Sequence, residues 1–333
     1  MKATPILFKE AYEDKFKLPR TKDIRTFEAL GAEHPTTFAH LLLGKKLYDY
    51  QDLSATVMIN NQQVIIVKAR QLGFTEYFGV YSLWRMYYCK KPIGLAKTHV
   101  IVFVSKDDET ASKLPDKIRD LIFEGDQHMK KLFGIDKFFS SQIGEKNNTE
   151  VIILNTKYGK SRFQSYPPTE KAIGESASDF IIDEAQLLKN PEPKSWYRKA
   201  KAIVSKTGGN IVISSTSREP SGFYYELLDP EDKQSTHEYY RLCFPWQTSS
   251  DENYIKEVKK NMEEWGEQSK DFQQEYCCNF LTNTSNFFDI EKIKLCTNNK
   301  ISQLDWSKID VIAGIDYGIA NSQSVVALAE LHP

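Results

Sequence analysis

The fold is indicated most clearly by one segment of the sequence, Val64-Ile65-Ile66-Val67-Lys68-Ala69-Arg70-Gln71-Leu72-Gly73-Phe74-Thr75. It begins with a short β-branched apolar run, continues as a tight polar loop, and then enters a helical pattern. In such a unit, backbone N–H groups at the start of the helix bind phosphate, and a glycine such as Gly73 lets the backbone approach the ligand. A hydroxyl at the position of Thr75 is placed to bind Mg²⁺. The stretch therefore predicts a strand–loop–helix unit of the kind that binds phosphate.

The loop departs from the usual G-x-x-x-x-G-K-[ST] pattern at two positions. Lys68 stands where the first glycine belongs, and Phe74 stands where the lysine belongs. Phosphate still needs a cation, which Lys68 or Arg70 could supply, and we assign Lys68 as the main substitute. The alternative is an ordinary strand-to-helix loop with solvated charges. The residues assigned to ATP are Lys68, Arg70, Gln71, Leu72, Gly73, Phe74 and Thr75.

A second motif, Phe180-Ile181-Ile182-Asp183-Glu184, is an apolar run that ends in two adjacent carboxylates and resembles a Walker B motif. Asp183 is expected to hold Mg²⁺, usually through water, and Glu184 to polarise the attacking water as a general base. Two acidic residues can also simply cap a following helix. An Asp-Glu pair that comes well after a phosphate-loop strand favours the catalytic interpretation.

A third apolar run, Ile211-Val212-Ile213, ends in four consecutive hydroxyl side chains. In ATPases with an inserted strand, such residues sense the γ-phosphate, although serine and threonine are also common turn formers. Upstream, Tyr50 and Gln51 are suited to stack on an adenine ring and to hydrogen-bond with it, while Tyr50 could equally be a core residue. The residues expected to couple hydrolysis to movement are Ser214, Ser215 and Thr216.

The composition fits a soluble globular protein. Of the 333 residues, 41% are hydrophobic and 27% are charged, and the net charge of -1 means that any nucleic-acid contact depends on local basic patches. The five cysteines are odd in number and form no C-x-x-C pair, so we expect a reducing compartment and no zinc site. No apolar stretch is long enough to span a bilayer, and we expect a cytoplasmic protein.

The spacing of apolar runs indicates an α/β fold with a mainly parallel central sheet flanked by helices. We expect strands at 64–67, 100–104, 151–154, 180–182 and 211–213. We expect helices at 75–89, 109–123, 194–204, 251–265 and 269–276.

Five segments follow from this pattern. They are a helical lead-in at 1–50, an ATPase core at 51–228, a small lid-like subdomain at 229–285, a linker at 286–308, and the start of another domain at 309–333.

Taken together, these motifs resemble the large terminase subunit of tailed bacteriophages, and the resemblance covers nearly the whole chain. The loop Lys68-x-Arg70-Gln71-x-Gly73-x-Thr75 is similar to the family's variant phosphate loop. The run Phe272-Gln273-Gln274-Glu275-Tyr276 with Phe280, followed by Phe287-Phe288-Asp289, is similar to the family's passage from motor to nuclease domain.

The segment near the end, Ile312 to Gly318 followed by Ser324 to Leu328, looks like the first hairpin of an RNase H-like nuclease. Asp316 would then bind a divalent catalytic metal. The other carboxylates of such a site do not occur before Pro333. We therefore expect a truncated chain that does not cut DNA by itself.

The resemblance implies a motor that uses ATP and Mg²⁺ to move double-stranded DNA into a procapsid in the host cytoplasm. The implied partners are DNA, the portal protein, the small terminase subunit and further copies in a ring, with no membrane. An isolated chain could be a monomer. A catalytic arginine is also expected: Arg70, Arg162 and Arg218 are candidates, of which Arg70 is taken first.

DNA contact falls to phosphate-binding cations, because a packaging motor must ignore sequence. One candidate for this contact is a basic stretch, and the alternative is that it forms a solvated helix face. The stretch consists of Lys194, Arg198, Lys199, Lys201 and Lys206. Two other functions stay open: a helicase-type nucleic-acid-dependent ATPase, and a non-hydrolysing scaffold with a decayed phosphate loop. The presence of Glu184 favours hydrolysis.

Overall fold

A computed structural model describes residues 23–89, 98–145, 148–174, 176–188, 192–205, 207–228 and 239–281, with Phe16, Pro19 and the backbone of 311–316 and 325–330. The chain divides into two compact units, Met1–Leu281 and Thr282–Pro333. The described helices of the first unit are α1 Ile24–Glu33, α2 Pro35–Leu43, α3 Asp49–Asn60, α4 Phe74–Tyr87, α5 Asp108–Phe133, α6 Pro193–Lys201, α7 Gly222–Leu228, α8 Glu252–Trp265 and α9 Lys270–Glu275.

The strands of the first unit form one sheet of seven. They are β1 Gln63–Lys68, β2 His99–Val104, β3 Val151–Thr156, β4 Gly159–Tyr166, β5 Asp179–Ile182, β6 Asn210–Ser215 and β7 Tyr240–Phe244. Their order is β3-β4-β2-β5-β6-β1-β7, and every neighbouring pair is parallel except β3 with β4. Because β6 lies between β1 and β5, the sheet has the inserted strand expected from the hydroxyl run.

Alternating residues of the strands fill two separate cores, one on each face of the sheet. Ile66, Phe103 and Ile181 belong to the core on the face of α4 and α5. Val67 and Ile182 belong to the opposite core, on the face of α6 and α7. This arrangement confirms the predicted α/β class with helices on both faces.

Helix α1 packs on α4. Trp84 Nε1 donates to the Gly31 carbonyl at 2.9 Å, and the Tyr87 hydroxyl donates to a Glu28 carboxylate oxygen at 2.6 Å. No helix in the described part of the chain is long and apolar enough to cross a membrane.

Three elements differ from the sequence prediction. Strand β4 was not predicted because it has no continuous apolar run. It lies between β2 and β3, near one edge of the sheet. Strand β7 is an edge strand with exposed positions, and its parallel pairing with β1 places part of 229–285 in the main sheet rather than in a separate subdomain. Helix α5 continues past the predicted end at 123 to Phe133, and it contains Gly125, where a Cβ would lie 2.6 Å from Phe139.

In the second unit, strands β8 Val311–Asp316 and β9 Val325–Glu330 form an antiparallel pair. This agrees with the predicted hairpin. Asp316 is the last residue of β8, and its side chain lies outside the described residues, as does the expected linker at 286–308.

At the amino end of the sheet, a buried ion cluster surrounds Asp179 on β5. Arg85 from α4 donates to the carboxylate through two nitrogens, each at 2.9 Å, and His99 Nε2 lies 2.9 Å from it. Asn210 donates at 3.0 Å. Burial alone would raise the pKa of Asp179, but the charge of Arg85 and the His99 contact outweigh it, so the pKa is lowered. The cluster ties α4 to three strands.

Replacing Asp179 with asparagine should destabilise the first unit by about 3–5 kcal/mol, because it leaves a buried guanidinium without its charge partner. In the wild type, the lowered pKa means that this stabilisation is present at neutral pH and is lost as pH falls through the folded-state pKa. Urea unfolding at neutral pH measures the difference. Asp116→Asn is the matched control, since its exposed pair with Arg119 should contribute less than about 1 kcal/mol. Equal effects of the two changes would contradict this account.

Candidate active site

Three parallel strands bring the predicted motifs to one edge of the sheet. In the register of β1 with β6, Val67 pairs with Ser215, so Lys68 lies beside the hydroxyl run. Strand β6 also pairs with β5, where Ile182 lies opposite Ile213. Asp183 is the residue that follows Ile182. The carboxyl ends of parallel strands are where open α/β sheets bind ligands.

Lys68 lies between the two acidic residues. Its Nζ is 3.6 Å from Asp183 Oδ1 and 3.6 Å from Glu184 Oε1, and its side chain is 8% exposed. The Ser214 hydroxyl donates to the same Asp183 oxygen. The phosphate loop, the Asp-Glu motif and the hydroxyl run therefore meet in one buried cluster.

Burial and the neighbouring opposite charges shift the pKa values of Lys68 and Glu184 in opposite directions. Burial would lower the pKa of Lys68, but the charges of Asp183 and Glu184 outweigh it and raise the pKa, so the ammonium stays charged. Burial raises the pKa of Glu184, helped by Asp183 and opposed by Lys68. A carboxylate with a raised pKa is a better proton acceptor than an ordinary glutamate near neutral pH.

The backbone at Glu184 is in the left-handed region, with φ of 57°. Non-glycine residues there are uncommon and cluster at functional sites. The next turn is fixed by Gln186, whose backbone N–H donates to Ser215 Oγ at 3.1 Å and whose amide donates to the Ser221 carbonyl at 2.9 Å. These contacts connect the Asp-Glu turn directly to the loop after β6.

The phosphate loop turns through two left-handed residues, Gln71 with φ of 61° and Gly73 with φ of 70°, and α4 begins at Phe74. The first N–H groups of a helix have no acceptor within that helix, and its dipole favours an anion there. Thr75 lies exposed in the first turn. The loop therefore points a set of donors to the edge where Lys68 and Asp183 lie.

Phe74, which occupies the position of the usual lysine, is a core residue. It is 2% exposed, and its ring packs against Tyr50 and Phe244 with centroids 6.1 and 5.7 Å away. A lysine here would bury a charge among aromatic rings, which is costly without a partner. A cation for phosphate would therefore have to come from elsewhere in the loop, and Lys68, with Arg70 as the alternative, stays the predicted one.

Tyr50 and Gln51, predicted to contact adenine, support the phosphate loop. Tyr50 is 5% exposed, and its hydroxyl donates to the Leu72 carbonyl at 2.9 Å. Its ring is stacked on Tyr48 at 5.4 Å. The Gln51 amide donates to the Gly73 carbonyl at 3.2 Å. This packing favours the core alternative for Tyr50, while adenine contact by either residue stays a prediction.

Tyr50→Phe keeps the ring and removes the shorter of two hydrogen bonds to the Leu72 carbonyl, which still accepts from the Gln51 amide at 3.4 Å. We therefore expect a loss of about 0.5–1.5 kcal/mol in unfolding free energy. Nucleotide affinity should fall with it, because the loop is less well fixed. Tyr240→Phe, at a tyrosine that is 48% exposed, is the control. Chemical unfolding and calorimetric ATP titration measure the two effects; no change in either would show that Tyr50 does not support the loop.

Two of the three candidate arginines lie near the loop and share one carboxylate. Arg70 Nη1 is 3.3 Å from Glu275 Oε1, and Arg218 Nη2 is 2.5 Å from the same oxygen. Arg162 is different: on β4 it pairs with Val100, four residues before the carboxyl end of β2. Arg162 therefore lies away from the carboxyl edge of the sheet, and its role as a catalytic arginine stays a prediction.

The contacts of Glu275 with Arg70 and Arg218 were not predicted from the sequence. Glu275 is 6% exposed, and its carbonyl also accepts from the Arg70 backbone N–H at 2.7 Å. The neighbouring Gln274 carbonyl accepts from the Ser217 hydroxyl at 2.8 Å. The run Phe272 to Tyr276 carries a family resemblance in the sequence, but no local pattern marks a helix end that contacts two distant loops.

The basic stretch on α6 is largely paired with acidic or aromatic groups. Lys194 lies 2.6 Å from Glu226, and Lys199 lies 3.3 Å from Glu170. Lys201 lies over the Tyr239 ring, 5.8 Å from its centroid. The side chain of Lys206 lies outside the described residues. This pairing favours the solvated-face alternative over a dedicated DNA patch.

The sheet order and the loop at the end of β1 define a P-loop ATPase fold. Solved structures of phage large terminases have the same fold. The ATPase domain from Thermus phage P74-26 aligns with a TM-score of 0.53 and 14% identity, over 74% of this chain and 99% of that domain. The large terminase of bacteriophage HK97 aligns with a TM-score of 0.57 and 11% identity, over 86% of this chain and 60% of that protein.

A third structure, the large terminase of a thermophilic bacteriophage in complex with ADP, has 14% identity and a TM-score of 0.47, over 83% of this chain and 61% of that protein. No protein-family model and no curated protein matches the sequence. The chain thus has the fold of the phage terminase ATPase domain, as the sequence resemblance predicted.

Proposed function

We propose that this chain is the ATP-hydrolysing motor of a viral terminase that moves double-stranded DNA into a procapsid. The observation that carries the proposal is the placement of Lys68 between Asp183 and Glu184 at the carboxyl edge of the sheet. This cluster lies in a fold shared with terminase ATPase domains. Experiments must test whether the chain binds nucleotide, magnesium and DNA.

ATP would bind at the start of α4, with the N–H groups of residues 71–75 around its phosphates and Lys68 as the nearest buried cation. Arg70, with its side chain 56% exposed, can reach the same anion from outside. In the described residues, no group of three His, Cys, Asp or Glu side chains forms a metal cage. That fits Mg²⁺, which takes one or two protein ligands together with phosphate and water. Thr75 and Asp183 are the residues that would hold it, and it would neutralise charge on the phosphates.

Glu184 would orient the attacking water and take its proton, leaving Asp183 to the metal. Lys68 holds both carboxylates in place before nucleotide binds and offsets phosphate charge afterwards. Loss of the γ-phosphate would be sensed by Ser214, which contacts Asp183, and by Ser215, which contacts the Gln186 backbone. Thr216 follows the end of β6. The Ser217 hydroxyl donates to the Gln274 carbonyl, and this hydrogen bond would transmit the movement to α9.

The raised pKa of Glu184 predicts the acid limb of the pH–rate profile. A general base must be ionised, so kcat/KM should fall as pH falls through this pKa, at a value above the ordinary 4.5. The profile of kcat/KM between about pH 4.5 and 9 measures it in the free enzyme. An acid limb at or below 4.5 would contradict a buried, base-acting Glu184.

The proposed partners are double-stranded DNA, the portal protein, the small terminase subunit and further copies in a ring. Asp316 on β8 would bind the metal of an RNase H-like nuclease site. These assignments are supported by the sequence resemblance and by the shared fold.

The test is a packaging reaction with linear duplex DNA, ATP, Mg²⁺ and procapsids that carry a portal. We expect DNase-protected DNA and duplex-stimulated ATP turnover, both absent with Glu184→Gln. Stimulation by single-stranded DNA with strand separation and no protection would instead establish the helicase-type alternative. ATP binding without turnover under every condition would establish the scaffold alternative.

A further inference from the structure

Two cysteine side chains meet beside the phosphate loop. Cys243 lies on the edge strand β7, where it pairs with Val67 of β1, and Cys278 follows α9. The side chains of Cys243 and its register partner Val67 lie on the same face of the sheet, and Cys278 belongs to the same buried cluster as Val67. The backbone agrees with this placement, because the Trp246 N–H donates to the Tyr276 carbonyl at 2.9 Å and holds the two segments side by side.

The two thiols differ in the way that a reactive pair requires. Cys243 is exposed, whereas Cys278 is buried at 9% exposure and adopts a left-handed backbone with φ of 60°. The contact with Cys278 lowers the pKa of Cys243, which increases its thiolate fraction. An accessible thiolate beside a second thiol is the arrangement in which oxidation leads to a disulfide rather than to higher acids.

We propose that Cys243 and Cys278 form a reversible disulfide when the protein meets a peroxide. The Cys243 thiolate attacks one peroxide oxygen, breaking the O–O bond and forming a sulfenic acid, while hydroxide leaves and becomes water. The Cys278 sulfur then attacks the Cys243 sulfur, releasing a second water. Two thiols and one H₂O₂ thus give one disulfide and two H₂O, and a dithiol reductant reverses the step.

The position of this bond gives it a consequence for the site. Glu275, three residues before Cys278, binds the backbone and side chain of Arg70 and the side chain of Arg218. A disulfide fastens this segment to β7, whose Phe244 carbonyl accepts from the Ala69 N–H at 2.8 Å. The phosphate loop and the segment 275–278 are then both attached to β7, which restricts their movement relative to each other. Oxidation should therefore slow ATP turnover, a consequence that rests on the proposed function.

The test treats the full chain with H₂O₂ and maps its peptides by mass spectrometry without reduction. We expect a Cys243–Cys278 cross-link, two hydrogens lighter than the reduced pair, in the wild type and in Cys277→Ser, and none in Cys243→Ser. Because Cys243 is exposed on an edge strand, Cys243→Ser should fold even if changes at Cys278 do not. Sulfinic acid at Cys243, or a cross-link that uses Cys277 instead, would overturn the assignment.

Turnover is measured on the same samples. The expected result is a loss of ATP hydrolysis on oxidation that dithiothreitol restores and that Cys243→Ser escapes. A mapped disulfide with unchanged turnover would overturn the regulatory consequence. If the reduced wild type hydrolyses no ATP, the proposed function fails, and the cross-link map still decides the fate of the thiol pair.

Discussion

Glu184→Gln should lower ATP turnover by about 10²- to 10⁴-fold, the usual contribution of a general base. Glutamine keeps the size and shape of the side chain and can still orient water, but it cannot take a proton. Nucleotide affinity should change little, because Lys68 and the N–H groups of the loop keep their places. The variant is therefore expected to bind ATP and hold it without hydrolysis.

The measurement is single-turnover hydrolysis alongside calorimetric ATP binding. Glu264→Gln, on an exposed part of α8, is the matched control and should behave like the wild type. A Glu184→Gln chain that hydrolyses ATP within a few-fold of the wild-type rate would show that the base is elsewhere. Loss of ATP binding would instead indicate a structural role.

Lys68→Met should have two effects, because the ammonium serves both the fold and the proposed ligand. It is 8% exposed between two carboxylates, so its removal leaves buried negative charge and should cost about 3–5 kcal/mol in unfolding free energy. A charged hydrogen bond to phosphate contributes about 1.5–3 kcal/mol, so ATP affinity should also fall by roughly 10- to 100-fold. Methionine keeps most of the volume, which separates charge from packing.

Urea unfolding and ATP titration measure the two effects, with Lys260→Met on exposed α8 as the control. Arg70→Met provides the second comparison. If Arg70→Met abolishes ATP binding while Lys68→Met leaves it intact, the loop cation is Arg70 and the assignment of Lys68 is wrong. A double substitution for Lys68 and Glu184 should be less destabilising than the sum of its parts, since their charges offset one another.

The sequence predicted best where local pattern and global fold agree. Continuous apolar runs at 64–67 and 180–182 are dictated by burial on both faces of a parallel sheet, and both form interior strands, β1 and β5. The order of motifs along the chain was enough to predict that Lys68, Asp183 and Ser214 meet. That prediction needs only the rule that parallel strands end at one edge.

What the sequence did not predict depends on long-range contacts. The sequence left two alternatives open for Tyr50, an adenine contact and a core residue, because its burial against Phe74 and Phe244 depends on tertiary packing. Glu275 carries no local signal for its contacts with Arg70 and Arg218, far away in the chain. Strand β7 was missed because an edge strand needs only one apolar face.

The most direct test of the account is the release of inorganic phosphate from Mg²⁺·ATP by the wild-type chain, measured across protein concentration. We predict saturable turnover that vanishes in Glu184→Gln, with a steep concentration dependence if a neighbouring copy supplies an arginine. Absence of both phosphate release and calorimetric ATP binding at every concentration would contradict the claim that this edge of the sheet is a nucleotide site.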